Sequence, residues 1–200
     1  MREFAKALPA IRATVAEHMA LSGLPRRRVL ATVVHLLETT LIRVGNDEYA
    51  KANQSFGLPT LRSDHVAVDG SEIRFQFAGK SGKQWSLAMC DRRVARILRA
   101  GQELPGQDLL QYFDEDKELP GVSSDDVNDS LREIAGYDVT AKDFHTWAGT
   151  VMMARHLHEA EATQSERQAK KALRAALVPV WPRRSAKPLR SAASPTSTRP

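Results

Sequence analysis

Three stretches of this 200-residue chain gather side chains able to grip phosphate or move protons. LIRVGNDEYAKANQSFGLPTLRSDHV at 41–66 carries Arg43 and Tyr49, FAGKSGK at 77–83 carries Lys80, and TAKDFHTWAGTV at 140–151 carries Lys142 and His145. A forked guanidinium matches phosphate oxygens better than a lysine point charge does. A positioned acid can protonate a leaving oxygen. Each residue also has a plainer alternative: Arg43 as a helix-terminal cation, Lys80 as a solvated turn lysine, Tyr49 as a partly buried aromatic at a helix end. A Gly-Lys pair in a hairpin is by itself only a turn.

Other chemistries are poorly supplied. Cys90 is the single cysteine, so an internal disulfide framework is excluded and a cysteine-type zinc site is disfavoured. No apolar run approaches the roughly 18 residues of a membrane span, and MREFAKALPAIR interrupts its hydrophobicity with charges and a proline, unlike a secretory signal. A cytoplasmic protein with no membrane partner is expected. The charge of +5 invites an anionic partner, but nine Lys or Arg and no acid fall in residues 167–200, which leaves −4 on residues 1–166. Net charge alone therefore argues weakly for nucleic acid, and a solvated basic tail is the better reading of it.

The elements that must position these groups follow from periodicity. Residues 8–22 and 25–43 read as helices separated by Ser22-Gly23-Leu24-Pro25, and Leu30, Val33, Leu37 and Leu41 should face a core. The period then changes. His65–Val68, Ile73–Phe77 and Trp85–Met89 read as three antiparallel strands turning at Asp69-Gly70 and Ser81-Gly82, the second turn beside Lys80. Helices are expected over 91–100, over 123–135 with a serine cap and Asp125 and Asp126 in its first turn, and over 141–162 with Thr140 as cap. Residues 101–122 form a Gly/Pro-punctuated connection. After about Ala176 prolines accumulate without period or acid, so the end should be disordered.

Together, in this order, the three stretches resemble the poxvirus-like type IB DNA topoisomerases found in bacteria, with a match running from about Leu8 to Lys171. The first stretch is long and specific. In that family a tyrosine attacks a DNA phosphodiester, forms a 3′-phosphotyrosine link, lets the free strand rotate and religates, with no metal, cofactor or nucleotide. The resemblance makes Arg43 the first catalytic arginine, Lys80 the general acid, Tyr49 and Lys142 DNA contacts, and double-stranded DNA the partner of an expected monomer on the bacterial nucleoid. It implies a mainly α (α+β) fold: a helical catalytic domain with a small three-stranded antiparallel sheet, on which Arg43, Lys80 and His145 converge.

Two departures stand out. The family's Lys-Asp-Phe-Arg-Thr-Trp is here Lys142-Asp143-Phe144-His145-Thr146-Trp147, so His145 occupies the position of a catalytic arginine. Histidine is shorter and lacks the fork. Losing one preorganised oxyanion donor costs roughly 3–4 kcal/mol, about 10²–10³ in rate. The nucleophile's segment, of the form Leu-Gly-(His or Asn)-Thr-Pro-Ala-Val-Cys-Arg-Lys-(Ser or Cys)-Tyr, does not occur; the tyrosines are Tyr49, Tyr112 and Tyr137, all before the end of the third stretch. Codons can be chosen for residues 185–199, after CGC for Arg184, whose frame one nucleotide earlier reads LGKTAAVCRKSYVHP, which makes a frameshift between about Leu173 and Arg184 an expectation that the gene sequence would test.

The organisation expected is a truncated topoisomerase-like catalytic domain over 1–172, without the family's N-terminal β-rich domain, and a basic Pro/Ser-rich disordered tail, out of frame, over 173–200. The expected function is type IB supercoil relaxation in a fragment defective in cleavage. The alternatives are a noncatalytic DNA-binding remnant or pseudogene product, and a relative of the tyrosine recombinases.

Overall fold

The computed structural model describes residues 1–45, 50, 52–116 and 118–159. The expected disordered tail over 173–200, the extension of the last helix to 162, and Tyr49 lie outside the described residues. Among the described residues are five α-helices, three short 3-10 turns and one three-stranded sheet: α1 (Arg2–Met19), α2 (Arg26–Thr40), β1 (Val66–Asp69), β2 (Glu72–Ala78), β3 (Gln84–Cys90), α3 (Arg92–Gln102), α4 (Ser124–Ala135) and α5 (Ala141–Glu159). The α+β class is as the sequence implied.

Helix α2 is the centre. Val29, Leu30, Ala31, Thr32, Val33, Val34, Leu36 and Leu37 are all buried, so it is enclosed on nearly every side, with α1, α3, α4 and α5 packed against it. The one hydroxyl among them is satisfied, because Thr32 donates to the Arg28 carbonyl at 2.8 Å. Arg28 in turn donates to the Met19 and Gly23 carbonyls, closing the C-terminal end of α1 with a cation.

The bounds of α1 and α2 differ from expectation, α1 ending at Met19 rather than residue 22. Helix α1 begins at Arg2 rather than residue 8, with Pro9 inside it. An interior proline costs on the order of 3 kcal/mol. The burial of Phe4, Ala7 and Leu8 offsets it, Phe4 standing edge-on to Phe144 of α5 with ring centres 5.0 Å apart. Helix α2 stops at Thr40, because Leu41 adopts the left-handed conformation, φ 56° and ψ 21°. Arg43 is therefore not the last residue of a helix but the second residue beyond a left-handed cap.

The sheet runs β1-β2-β3, antiparallel throughout, and its alternation is as read: Ile73, Phe75 and Phe77 are buried while Arg74 and Gln76 face solvent. Val66 pairs with Phe75 and Phe77 with Trp85. Gly70, at φ 55°, takes the first of two loop positions between Asp69 and Glu72, where a tight hairpin favours glycine. Helix α3 covers β1 and β2 with Val94, Ala95, Ile97 and Leu98, and Asp91 caps it by accepting from the Arg93 and Val94 amides. Ser123 caps α4 reciprocally with Asp126, and the first amide of α5, Ala141, donates to Asn128 of α4.

Candidate functional site

Arg43 leaves the core on a segment fixed at each residue. Ile42, 1% exposed, is buried, and its amide donates to the Thr40 hydroxyl at 3.2 Å. The Arg43 carbonyl accepts from the Leu58 amide at 2.9 Å, while its side chain is exposed. Behind it Gly45 meets Gly57 so closely that a Cβ on Gly57 would stand 2.6 Å from both the Arg43 oxygen and the Gly45 Cα. Only glycine permits that crossing.

Lys80 sits in the connection between β2 and β3. Ser81 and Gly82 both have positive φ, 64° and 67°, and the Gly79 amide donates to the Lys83 carbonyl at 2.8 Å, closing the loop with Lys80 exposed on it. Trp85 supports this loop. Its ring stacks on Phe77, centres 6.0 Å apart and planes 6° from parallel, and presses on Gly79, where a Cβ would lie 2.6 Å from the indole.

Phe56 and Leu58 connect the two. The Phe56 amide donates to the Ala78 carbonyl at 2.8 Å, two residues before Lys80, and the Leu58 amide holds the Arg43 carbonyl. One five-residue stretch, Phe56–Thr60, thus sets the spacing between the arginine and the lysine. Thr60 stiffens it: its hydroxyl accepts from the Gly57 amide at 2.9 Å and is buried. His65 supports it from below, its ring edge-on to Phe56 at 4.3 Å and its Nδ1 accepting from the Arg62 amide. Burial, with Arg62 acting in the same direction and Asp64 against, pushes the His65 pKa below the usual imidazole range.

Helix α5 supplies the third side. Its first turn is buried at Ala141 and Phe144, which leaves Lys142 exposed and His145 half-buried on the side toward α2. The His145 Nε2 lies 3.1 Å from the Leu41 carbonyl oxygen and its Nδ1 3.1 Å from that of Ala141.

Arg43, Lys80, Lys142 and His145 all line one cleft of about 740 Å³, together with Gly45, Phe56 and the Ser81-Gly82 turn. No carboxylate is among its described lining residues. The expected convergence of Arg43, Lys80 and His145 on one place is thus met in space. Tyr112 and Tyr137 are elsewhere: Tyr112 is half-buried beside Arg26 of α2, and Tyr137 is exposed after α4, its pKa raised by partial burial and by Glu3 and Asp143. A second cleft, about 660 Å³ between α1, α2 and α3, is lined by Arg12, Arg92, Arg93 and Arg96 but also by acids. There Arg12 pairs with Glu38 and Asp91 with His35, so these four charges join neighbouring elements.

Sequence reasoning missed Gly45, Gly57, Phe56, Thr60 and Gly79, which set the backbone that carries Arg43 and Lys80, Gly45 and Phe56 also lining the cleft. The glycines in the RVG, SFGLPT and FAGK runs were the only available signal.

With this geometry established, the likeness to known proteins is specific. The family model described as eukaryotic DNA topoisomerase I, catalytic core, matches residues 1–181. The DNA topoisomerase 1B of Acanthamoeba polyphaga mimivirus is 25% identical over 159 residues, covering 78% of this chain and 47% of that protein. The chain thus spans about half the length of the curated relative it matches. By a family match that extends through nearly the whole sequence, this chain belongs to the eukaryotic-type DNA topoisomerase I catalytic-core family.

Proposed function

We propose that this chain is the phosphate-gripping part of a type IB DNA topoisomerase, and that as a 200-residue polypeptide it binds duplex DNA without cleaving it. The observation that carries the reading is the cleft: Arg43, Lys80 and Lys142 face one 740 Å³ space with no described carboxylate, on a body whose first 166 residues are net acidic. A cationic cleft without a described carboxylate, on a net acidic body, favours a polyanion at that place. The guanidinium of Arg43 suits the nonbridging oxygens of a phosphodiester, and Lys80, on a projecting loop, suits proton delivery to the leaving 5′-oxygen. Both assignments agree with the positions these residues take in the family pattern.

Cleavage needs a nucleophile, and neither described tyrosine lines this cleft. Tyr49 lies outside the described residues, and no segment of the family's tyrosine form occurs in the 200 residues, which supports reading the chain as a DNA-binding piece without the covalent step. The test compares duplex binding at several salt concentrations with relaxation of supercoiled plasmid in the absence of metal and ATP. Binding that weakens steeply with salt, without relaxation, is expected. Salt-insensitive binding or none would overturn the DNA reading, and relaxation would overturn the noncatalytic part of it.

A second reading rests on residues 185–199, whose composition permits a hidden frame encoding a tyrosine segment of the family's form. On that reading the gene, read one nucleotide earlier, specifies an active enzyme with a histidine at position 145. Resequencing the gene beyond codon 165 decides between them.

A further inference from the structure

The position of His145 in the family pattern suggests a direct phosphate contact, but its ring faces inward. Nε2 is 3.1 Å from the Leu41 carbonyl oxygen, 104 residues away in sequence, and Nδ1 is 3.1 Å from the Ala141 carbonyl oxygen one turn earlier in α5. Leu41 is the left-handed cap of α2, a conformation that costs a residue with a Cβ roughly 1–2 kcal/mol. Such a cap persists only where its surroundings hold it. Its amide is held by the Leu37 carbonyl at 3.1 Å, and Ile42 is anchored by Thr40 and by burial. The Leu41 carbonyl points toward α5, and among the described residues the imidazole meets it there.

We infer that His145 is a positioning residue: by donating from Nε2 to the Leu41 carbonyl it fixes the turn that aims Arg43 into the cleft, and it does not itself hold the phosphate. A neutral imidazole carries one N–H, so with Nε2 donating to the Leu41 carbonyl the ring would have to break that hydrogen bond to donate to a ligand. One carbonyl acceptor, two residues before Arg43, transmits the effect. The inference deepens the DNA reading above, but its structural half stands without DNA.

Hydrogen exchange on the free, full-length chain tests that half. The Ile42 and Leu58 amides, which donate to Thr40 and to the Arg43 carbonyl, report directly on the segment. In His145→Ala they should exchange about tenfold faster, while amides of β2 and β3 keep their rates. His145→Gln, whose side-chain amide can reach the same carbonyl without charge, should restore most of the protection. Unchanged rates in His145→Ala overturn the inference. So does a uniform loss across the domain, which would make His145 a general packing residue.

A double-mutant cycle on duplex binding tests the other half. If His145 acts through Arg43, His145→Ala weakens binding in the parent chain and adds nothing in Arg43→Ala, and His145→Gln recovers most of the affinity. Additive effects, each lowering the salt slope by about 0.9, would show His145 touching a phosphate and overturn the inference. A parent chain that fails to bind DNA at all defeats the DNA reading alone, since the exchange rates still decide what His145 does.

Discussion

Gly57 lies against Gly45 so tightly that a single methyl group on Gly57 would meet the Gly45 Cα and the Arg43 carbonyl oxygen, each at 2.6 Å. The contact is main chain against main chain, so nothing flexible is available to yield. Its consequence reaches the cleft, because the same crossing delivers the Leu58 amide to the Arg43 carbonyl and the Phe56 amide to β2. Gly57 has an ordinary extended φ of −139°, so the constraint there is space and not backbone conformation.

Gly57→Ala should therefore destabilise the domain through overpacking, by roughly 1–3 kcal/mol, measured by urea denaturation. DNA affinity should fall even in conditions where the variant stays folded, since Arg43 and Lys80 would no longer share a fixed spacer. A variant with parental stability and affinity would remove Gly57 from this role.

Arg43→Ala, Lys80→Ala and Lys142→Ala should each flatten the dependence of log binding constant on log salt, by about 0.9 for every phosphate the replaced side chain had neutralised. Arg43→Lys should keep most of the slope yet bind more weakly, because an ammonium cannot form the paired hydrogen bonds of a guanidinium. Binding titrations at four or five salt concentrations measure all of these. Parental slopes in the three alanine variants would place the DNA elsewhere.

Much of the scaffold was legible because its signals are local. The alternation of Ile73, Phe75 and Phe77 marked β2, and Ser123 with Asp126 marked the start of α4. What escaped was set by contacts distant in sequence. Nothing about a leucine announces a left-handed cap, and the run Leu30, Val33, Leu37, Leu41 continues a helical period past Thr40, where the chain in fact turns. Likewise Pro9 resembles a helix boundary until Phe4 is seen against Phe144. Arg43, Lys80, Lys142 and His145 were singled out by their motifs as candidates, but the means of bringing them to one cleft was not legible. For Arg43 and Lys80 that task falls to the amides of Phe56 and Leu58, and a backbone amide leaves no mark in the sequence.

Mild acid should loosen the same spacer. Burial lowers the His65 pKa from its unfolded value near 6.5, so on acidification the unfolded chain takes up the proton first. Stability contributed by neutral His65 is present above that value and is lost as pH falls through it toward the folded pKa. Protonation also ends the acceptance by Nδ1 of the Arg62 amide. The urea midpoint should drop between pH 7.5 and pH 5.5, and His65→Gln should show a smaller drop. An equal drop in both would assign the pH dependence to other groups.

Gly79 offers a way to move Lys80 without touching it. Its φ of −95° is open to any residue, but a Cβ there would stand 2.6 Å from Cδ1 and Nε1 of Trp85. Gly79→Ala must therefore displace the indole, disturb its stacking on Phe77, and shift the loop that ends in Lys83. Trp85 emission and the near-ultraviolet aromatic signal should both change. DNA affinity should fall about as far as in Lys80→Ala, with Lys80 still present. Combining the two substitutions should then cost little more than either one, because both act on the same interaction with DNA. Fully additive effects would mean that Gly79 and Trp85 support a part of the DNA surface that Lys80 does not share.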